Sequence, residues 1–203
     1  MCRLVRHRPR WAALGRAVAI ASVLAGVTAV AVGAPTPPVD VPVAHAAPSD
    51  SPSTCDGPAF HEFDFWIGAW QVVDADTNRL VAFDRVDKRA AGCIIEEHLH
   101  FLTDLYRRPG VARRLAGISI SRFDGEHWLQ MWADNQWGAI ELRTVAVSPG
   151  KLVFETVISS RGRNVRLVYQ RLPSGDVRMR QYIAPAGSGH WTLYGNLLYR
   201  PNR

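Results

Sequence analysis

Over residues 60–203 the sequence predicts an all-β protein: a single antiparallel β-barrel of about 8–10 strands with a short N-terminal helical turn. Three observations predict it. Short runs rich in Val, Ile, Leu, Tyr, Trp and Thr recur from residue 70 onward, broken by turn residues every eight to twelve positions. Within several runs polar and apolar residues alternate, so that Val165, Leu167 and Tyr169 face one way and Arg166 and Gln170 the other, while Val177 and Met179 oppose Arg178 and Arg180. One face of the sheet is therefore buried and the other wet. Beyond the signal-like start, no stretch keeps a helical period for ten residues, and only Phe60–Trp66 suits a turn of helix. A closed barrel accommodates about ten such strands better than a sandwich, because closure removes exposed edges.

Strands are expected near 69–74, 79–89, 93–102, 115–123, 127–133, 138–147, 151–160, 164–172, 176–183 and 191–200. Asp124-Gly125, Pro149-Gly150, Arg161-Gly162, Ser174-Gly175 and Gly187-Ser188-Gly189 stand where hairpin turns are needed. No self-similar repeat of 20–50 residues suggests a propeller or solenoid.

The chain of 203 residues carries 24 Lys+Arg against 18 Asp+Glu, but the excess is local. Residues 1–46 contain Arg3, Arg6, Arg8, Arg10 and Arg16 with one acid, Asp40, leaving 19 basic and 17 acidic residues after them. The folded part is then almost neutral, which removes the electrostatic case for a nucleic-acid partner. Basic residues followed by the uncharged run Ala17 to Gly33 have the order of a secretory signal peptide, assigned to 1–46 with cleavage after Ala44-His45-Ala46. The same 17-residue run is just long enough to be kept as a membrane anchor. Residues 47–59, rich in Pro and Ser, read as a flexible linker. Export implies a secreted or cell-envelope location and an oxidising compartment. There Cys55 and Cys93 suit a disulfide, with a buried Cys93 thiol as the alternative.

The segment Phe63-Asp64-Phe65-Trp66-Ile67-Gly68-Ala69-Trp70 resembles the opening of an uncharacterised bacterial lipocalin-like (calycin-type) family. Gly92-Cys93-Ile94-Ile95-Glu96-Glu97 and Phe123-Asp124 followed by Trp128-x-Gln130-x-Trp132-x-Asp134 are similar to later motifs of that family, in the same order. Together they cover roughly residues 60 to 140. The resemblance implies a barrel and no particular activity. A more distant resemblance to lipocalins implies that Trp70 of Gly68-Ala69-Trp70 lies on the barrel floor beneath Arg200, a cation–π contact; the other lipocalin signatures are not recognisable.

Trp128, Gln130 and Trp132 share one strand face, and two indoles flanking an amide compose the wall of a small-molecule pocket. Glu97 shares the apolar face with Ile95, Leu99 and Phe101, so an inward carboxyl is expected, either perturbed or paired with Arg143, Arg178 or Arg180. Glu96, His98 and His100 lie on the opposite face; with a third ligand such as His127 or Glu155 they could hold zinc, although a solvated face suits them better. His190 invites comparison with haem-binding barrels of the nitrobindin type, but beside Gly187-Ser188-Gly189 it reads as an exposed turn residue. Arg107, Arg108, Arg113 and Arg114 form a basic loop suited to an acidic partner or an anionic membrane surface. The expected function is interior binding of a small apolar or amphipathic molecule through Trp128, Gln130, Trp132 and Glu97, with no cofactor called for. The alternatives are an enzyme using Glu97 as acid/base or a metal at His98 and His100, and a packed barrel acting through its surface.

Overall fold

The structure, a computed structural model, describes residues 55–202; the expected signal peptide and most of the linker lie outside the described residues. Ten strands form one closed barrel in chain order: β1 (Gly68–Asp74), β2 (Leu80–Arg89), β3 (Ile94–Phe101), β4 (Ala116–Phe123), β5 (Trp128–Asp134), β6 (Gly138–Ser148), β7 (Lys151–Thr156), β8 (Arg163–Arg171), β9 (Val177–Pro185) and β10 (Thr192–Pro201). Each strand pairs antiparallel with the next and β10 returns to β1, so no ladder is left open. The order follows from short connections, which can join only neighbouring antiparallel strands.

The alternation read from sequence becomes the inside and outside of this barrel. In β3 Ile95, Glu97, Leu99 and Phe101 are buried while His98 and His100 are exposed; in β8 Leu167 and Tyr169 are buried. Tight turns fall where expected. Gly150, at φ 70° in the two-residue link from β6 to β7, occupies the left-handed region that a side chain disfavours. β7 departs from expectation by stopping at Thr156 instead of running to 160, because Val157 and Ile158 are exposed beyond the rim and pairing resumes only as an isolated Ser160–Arg163 bridge.

The expected helical turn is two short 3-10 turns, Pro58–His61 and Asp64–Trp66, which plug one end of the barrel. Phe63 and Trp66 are both fully buried and stack at 4.8 Å, and they meet Tyr169 at 5.1 and 4.8 Å and Phe154 at 5.4 Å from Phe63. Burying an aromatic side chain of this kind stabilises the fold by roughly 1.5–3 kcal/mol. Lys88 of β2 ties the plug down by an ion pair to Asp64 at 2.7 Å. A Cys55–Cys93 disulfide, with Cα atoms 5.1 Å apart, links the chain before the plug to the β2–β3 connection. Closing this 38-residue separation contributes about 4 kcal/mol in the chain-entropy account.

Trp70 does lie in the floor packing, its indole N–H donating to the Trp66 carbonyl at 3.0 Å and its ring meeting Tyr199 edge-on. The expected cover by Arg200 is corrected by the register. Arg200 pairs with the outward Gln71, not with the inward Trp70, and its guanidinium donates to Asn78 at 2.7 Å. The inward neighbour on that strand is Tyr199, whose odd parity matches the inner face.

Candidate functional site

The hydrocarbon core of the barrel is interrupted by polar side chains facing its axis. Buried there are Asp84 on β2, Glu97 on β3, Ser119 and Ser121 on β4, Gln130 on β5 and Thr144 on β6. The paired positions Val86, Glu97, Ser119, Trp132 and Ile140 form one row across five strands, so register alone brings the Glu97 carboxyl beside Ser119 and Ser119 beside Trp132. Ser119 donates its hydroxyl to Glu97 Oε2 at 2.5 Å and accepts the Gln130 amide at 3.4 Å. Glu97 and Gln130 thus converge through a serine that no sequence motif marked.

Glu97 does not use the expected Arg143, Arg178 or Arg180. Arg143 is exposed, and Arg178 and Arg180 stand on the outward parity of β9, opposite in phase to buried Val177 and Met179. With no cation beside it, burial pushes the Glu97 carboxyl up to about 7, partly opposed by the Ser119 hydrogen bond. Asp84 is held well above the ordinary carboxylate range, first by burial and then by the Glu97 charge, while the Arg85 backbone N–H opposes both from outside hydrogen-bonding geometry. Neither Asp84 oxygen has a hydrogen-bond partner, nor do Gln130 Oε1 and Ser121 Oγ. An acceptor left unmet in such a place costs about 1–3 kcal/mol. Burial also pushes the Tyr169 and Tyr199 hydroxyls well up, so both remain protonated donors beside the acids.

The two expected pocket indoles separate. Trp128 is 1% exposed and packs edge-on against Phe63 at 5.8 Å, which makes it floor core. Trp132 is half-buried near the opposite end, its N–H donating to Asp134 at 2.8 Å. Its ring covers Gly117, where an added Cβ would lie 2.3 Å from the indole, so glycine is what allows the ring to lie flat on β4. Around that end the inward residues Trp132, Ile140, Thr156, Val165, Gln181 and Ile183 are all partly exposed, a mouth facing away from the plug. The β3–β4 loop closes part of it. Tyr106, at φ 63°, lies over Gly195 of β10 and against Phe101 and Tyr194.

No protein-family model matches the chain, and no curated protein is significantly similar to it.

The outer face gives the metal alternative no support. His98 Nε2 binds Glu96 Oε1 at 2.8 Å in solvent, Glu155 is engaged by Arg166 at 2.6 Å, and among the described residues no group of three His, Cys, Asp or Glu gathers. His190 is exposed in the β9–β10 turn. In the basic loop Arg107 pairs with Asp104 at 3.1 Å and Arg108 lies over the Trp137 ring at 5.7 Å, leaving Arg113 and Arg114 exposed. Sequence reasoning missed Asp84, Ser119 and Ser121. Asp84 was signalled by its shared parity with Ala82 and Val86; the serines were masked because the apolar residues alternating with them, Ile118 and Ile120, point outward and are 46% exposed.

Proposed function

We propose that this protein is an exported, lipocalin-like barrel that binds a small amphipathic molecule from its open end. The polar head reaches the Glu97–Ser119–Gln130 chain and the apolar part lies against Trp132, Ile140 and Val165. The observation that carries this reading is the set of buried, unpartnered acceptors one residue row from a partly exposed tryptophan. Deep polar groups fix the orientation of a ligand while apolar walls supply most of the affinity, at about 25 cal/mol per Å2 buried. The floor plug and Trp128 take no part in binding; they hold the barrel shape.

Export is supported by the disulfide, and among the described residues no helix is long and apolar enough to cross a membrane. Exposed Arg113 and Arg114 at the mouth rim suit contact with an anionic membrane surface from which such a ligand is collected. A second reading, acid–base chemistry on the bound molecule, is favoured by the buried Glu97 carboxyl, which accepts the Ser119 hydroxyl and is raised by burial to about 7.

The test is native mass spectrometry of the oxidised protein from an exporting host, with denaturing extraction of whatever accompanies it. A stoichiometric small-molecule adduct, lost in a folded Trp132→Ala variant and kept in a variant of Arg113 and Arg114, is expected. A bare mass together with no response of tryptophan fluorescence to any of a series of C8–C12 amphiphiles would sink the binding reading.

A further inference from the structure

The mid-barrel holds two carboxyls with no basic side chain beside them. Two carboxyls, Asp84 and Glu97, face the axis with the unpartnered Gln130 carbonyl oxygen and the unpartnered Ser121 hydroxyl beside them, all at least nine-tenths buried. Asp84 pairs with Leu99 and Glu97 with Val86, so the acids are diagonal neighbours on adjacent strands, about 7 Å apart. No basic side chain reaches between them. Lys88 and Arg171 have inward parity but stand at the floor rim, Lys88 committed to Asp64 and Arg171 exposed. At the mouth, Asp134 accepts from Trp132 and Asp74 from Thr77, and Tyr106 remains neutral; deeper in the barrel Tyr169 and Tyr199 remain neutral as well. Burial with no resident cation favours the protonated form of both acids, and a cation placed between them is what lets them ionise.

Resting on the reading of the barrel as a small-molecule binder, we propose that its ligand carries a protonated primary amine, the ammonium held between Asp84, Glu97 and Gln130 Oε1. The match is one of number and geometry. An ammonium offers three N–H donors, enough for the Asp84 and Glu97 carboxyls and the unpartnered Gln130 oxygen, and at charge-assisted distances of about 2.8 Å it bridges two carboxylates at diagonal positions of adjacent strands. A planar guanidinium needs a wider fork, and an alcohol supplies one donor and no charge. Among the described residues no third His, Cys, Asp or Glu joins the two carboxyls. The apolar remainder of an alkylamine then extends past Ser119 to Trp132 and the mouth, the direction in which inward side chains become exposed.

The experiment compares decylamine, decanoic acid and 1-decanol, probes with one apolar body and three heads, by calorimetry and tryptophan fluorescence on the oxidised full chain at pH 7.5. Decylamine is expected to bind at one site at least tenfold more tightly than either analogue. Its affinity falls about tenfold from pH 7.5 to pH 6, because Glu97, at about 7, must lose its proton to pair with the ammonium, while 1-decanol stays flat across that range. Asp84→Asn combined with Glu97→Gln should erase the amine preference, with near-UV circular dichroism reporting that the barrel still folds; the wild-type pH profile stands independently of that variant. Equal or tighter binding of decanoic acid or 1-decanol overturns the amine and leaves a binder of another head group. Failure of all three probes overturns the amine and removes support from the binding reading too.

Discussion

The two ends of the barrel are built on opposite principles. At the floor, Phe63, Trp66, Trp128, Phe154 and Tyr169 form one aromatic cluster, sealed by two helical turns, an ion pair and a disulfide. Toward the mouth, the same inward positions hold Asp84, Glu97, Ser119 and Gln130, with both Asp84 oxygens and the Gln130 carbonyl oxygen unpartnered, and the apolar residues above them are partly exposed. The difference teaches that hydrophobic closure and buried polarity are separated along the barrel axis. The floor gains free energy by excluding water, whereas the middle gives some up by burying groups that nothing in the chain satisfies.

The largest effect expected is at the floor. Reducing the Cys55–Cys93 bridge, or replacing both cysteines by serine, should lower the free energy of unfolding by about 4 kcal/mol, measured by urea titration with and without reductant. Trp66→Ala should cost about 3–5 kcal/mol in the same assay, through the cavity it leaves, while Trp132→Ala, at a half-exposed position, costs under half as much. If the two tryptophans proved equal, the division between the ends would break.

The middle should behave with the opposite sign. Glu97 has its pKa raised from 4.5 to about 7 on folding. Between those values the folded state keeps a proton that the unfolded state has lost, so stability is greatest below about pH 4.5 on this account, declines as pH rises to 7, and levels off above it. Glu97→Gln should therefore stabilise the protein at pH 8 by about 3 kcal/mol and leave it nearly unchanged at pH 4.5, as thermal melts at the two pH values would report. A variant destabilised at pH 8 would mean that Glu97 is satisfied in the barrel, not strained by it.

Smaller effects sharpen the boundary. Gly117→Ala places a Cβ against the Trp132 ring and 2.8 Å from the Ala133 carbonyl oxygen. A destabilisation of about 1–3 kcal/mol with a red shift of Trp132 emission is expected, as the ring is pushed toward the mouth. His98→Ala, on the solvated outer face, should change stability by less than about 0.5 kcal/mol and leave ligand binding untouched.

Most of the barrel was legible because its signals are local. Turn glycines and alternation of period two place nine of the ten strands within a residue or two of their observed ends; β7 overran because Val157 and Ile158 look like strand interior, although they project beyond the rim. Glu97 was legible as inward from Ile95, Leu99 and Phe101 on its own face. Arg200 misled for a related reason. Parity within β10 is local, but which residue of β10 lies beside Trp70 depends on the pairing of the first and last strands, 131 residues apart in sequence from Trp70 to Pro201.

By itself the amino-acid sequence determined the fold class, most strand boundaries and the inward face of most strands, and it left the Cys55–Cys93 bridge as one of two choices, since each follows from neighbouring residues or from the small number of partners available. Only the tertiary structure decided that Trp128 belongs to the floor and Trp132 to the mouth, that Ser119 joins Glu97 to Gln130, and that Asp84 stands near them with no partner. These are matters of register between strands and of height along the axis. Both are set by how the sheet closes on itself, which no single strand encodes.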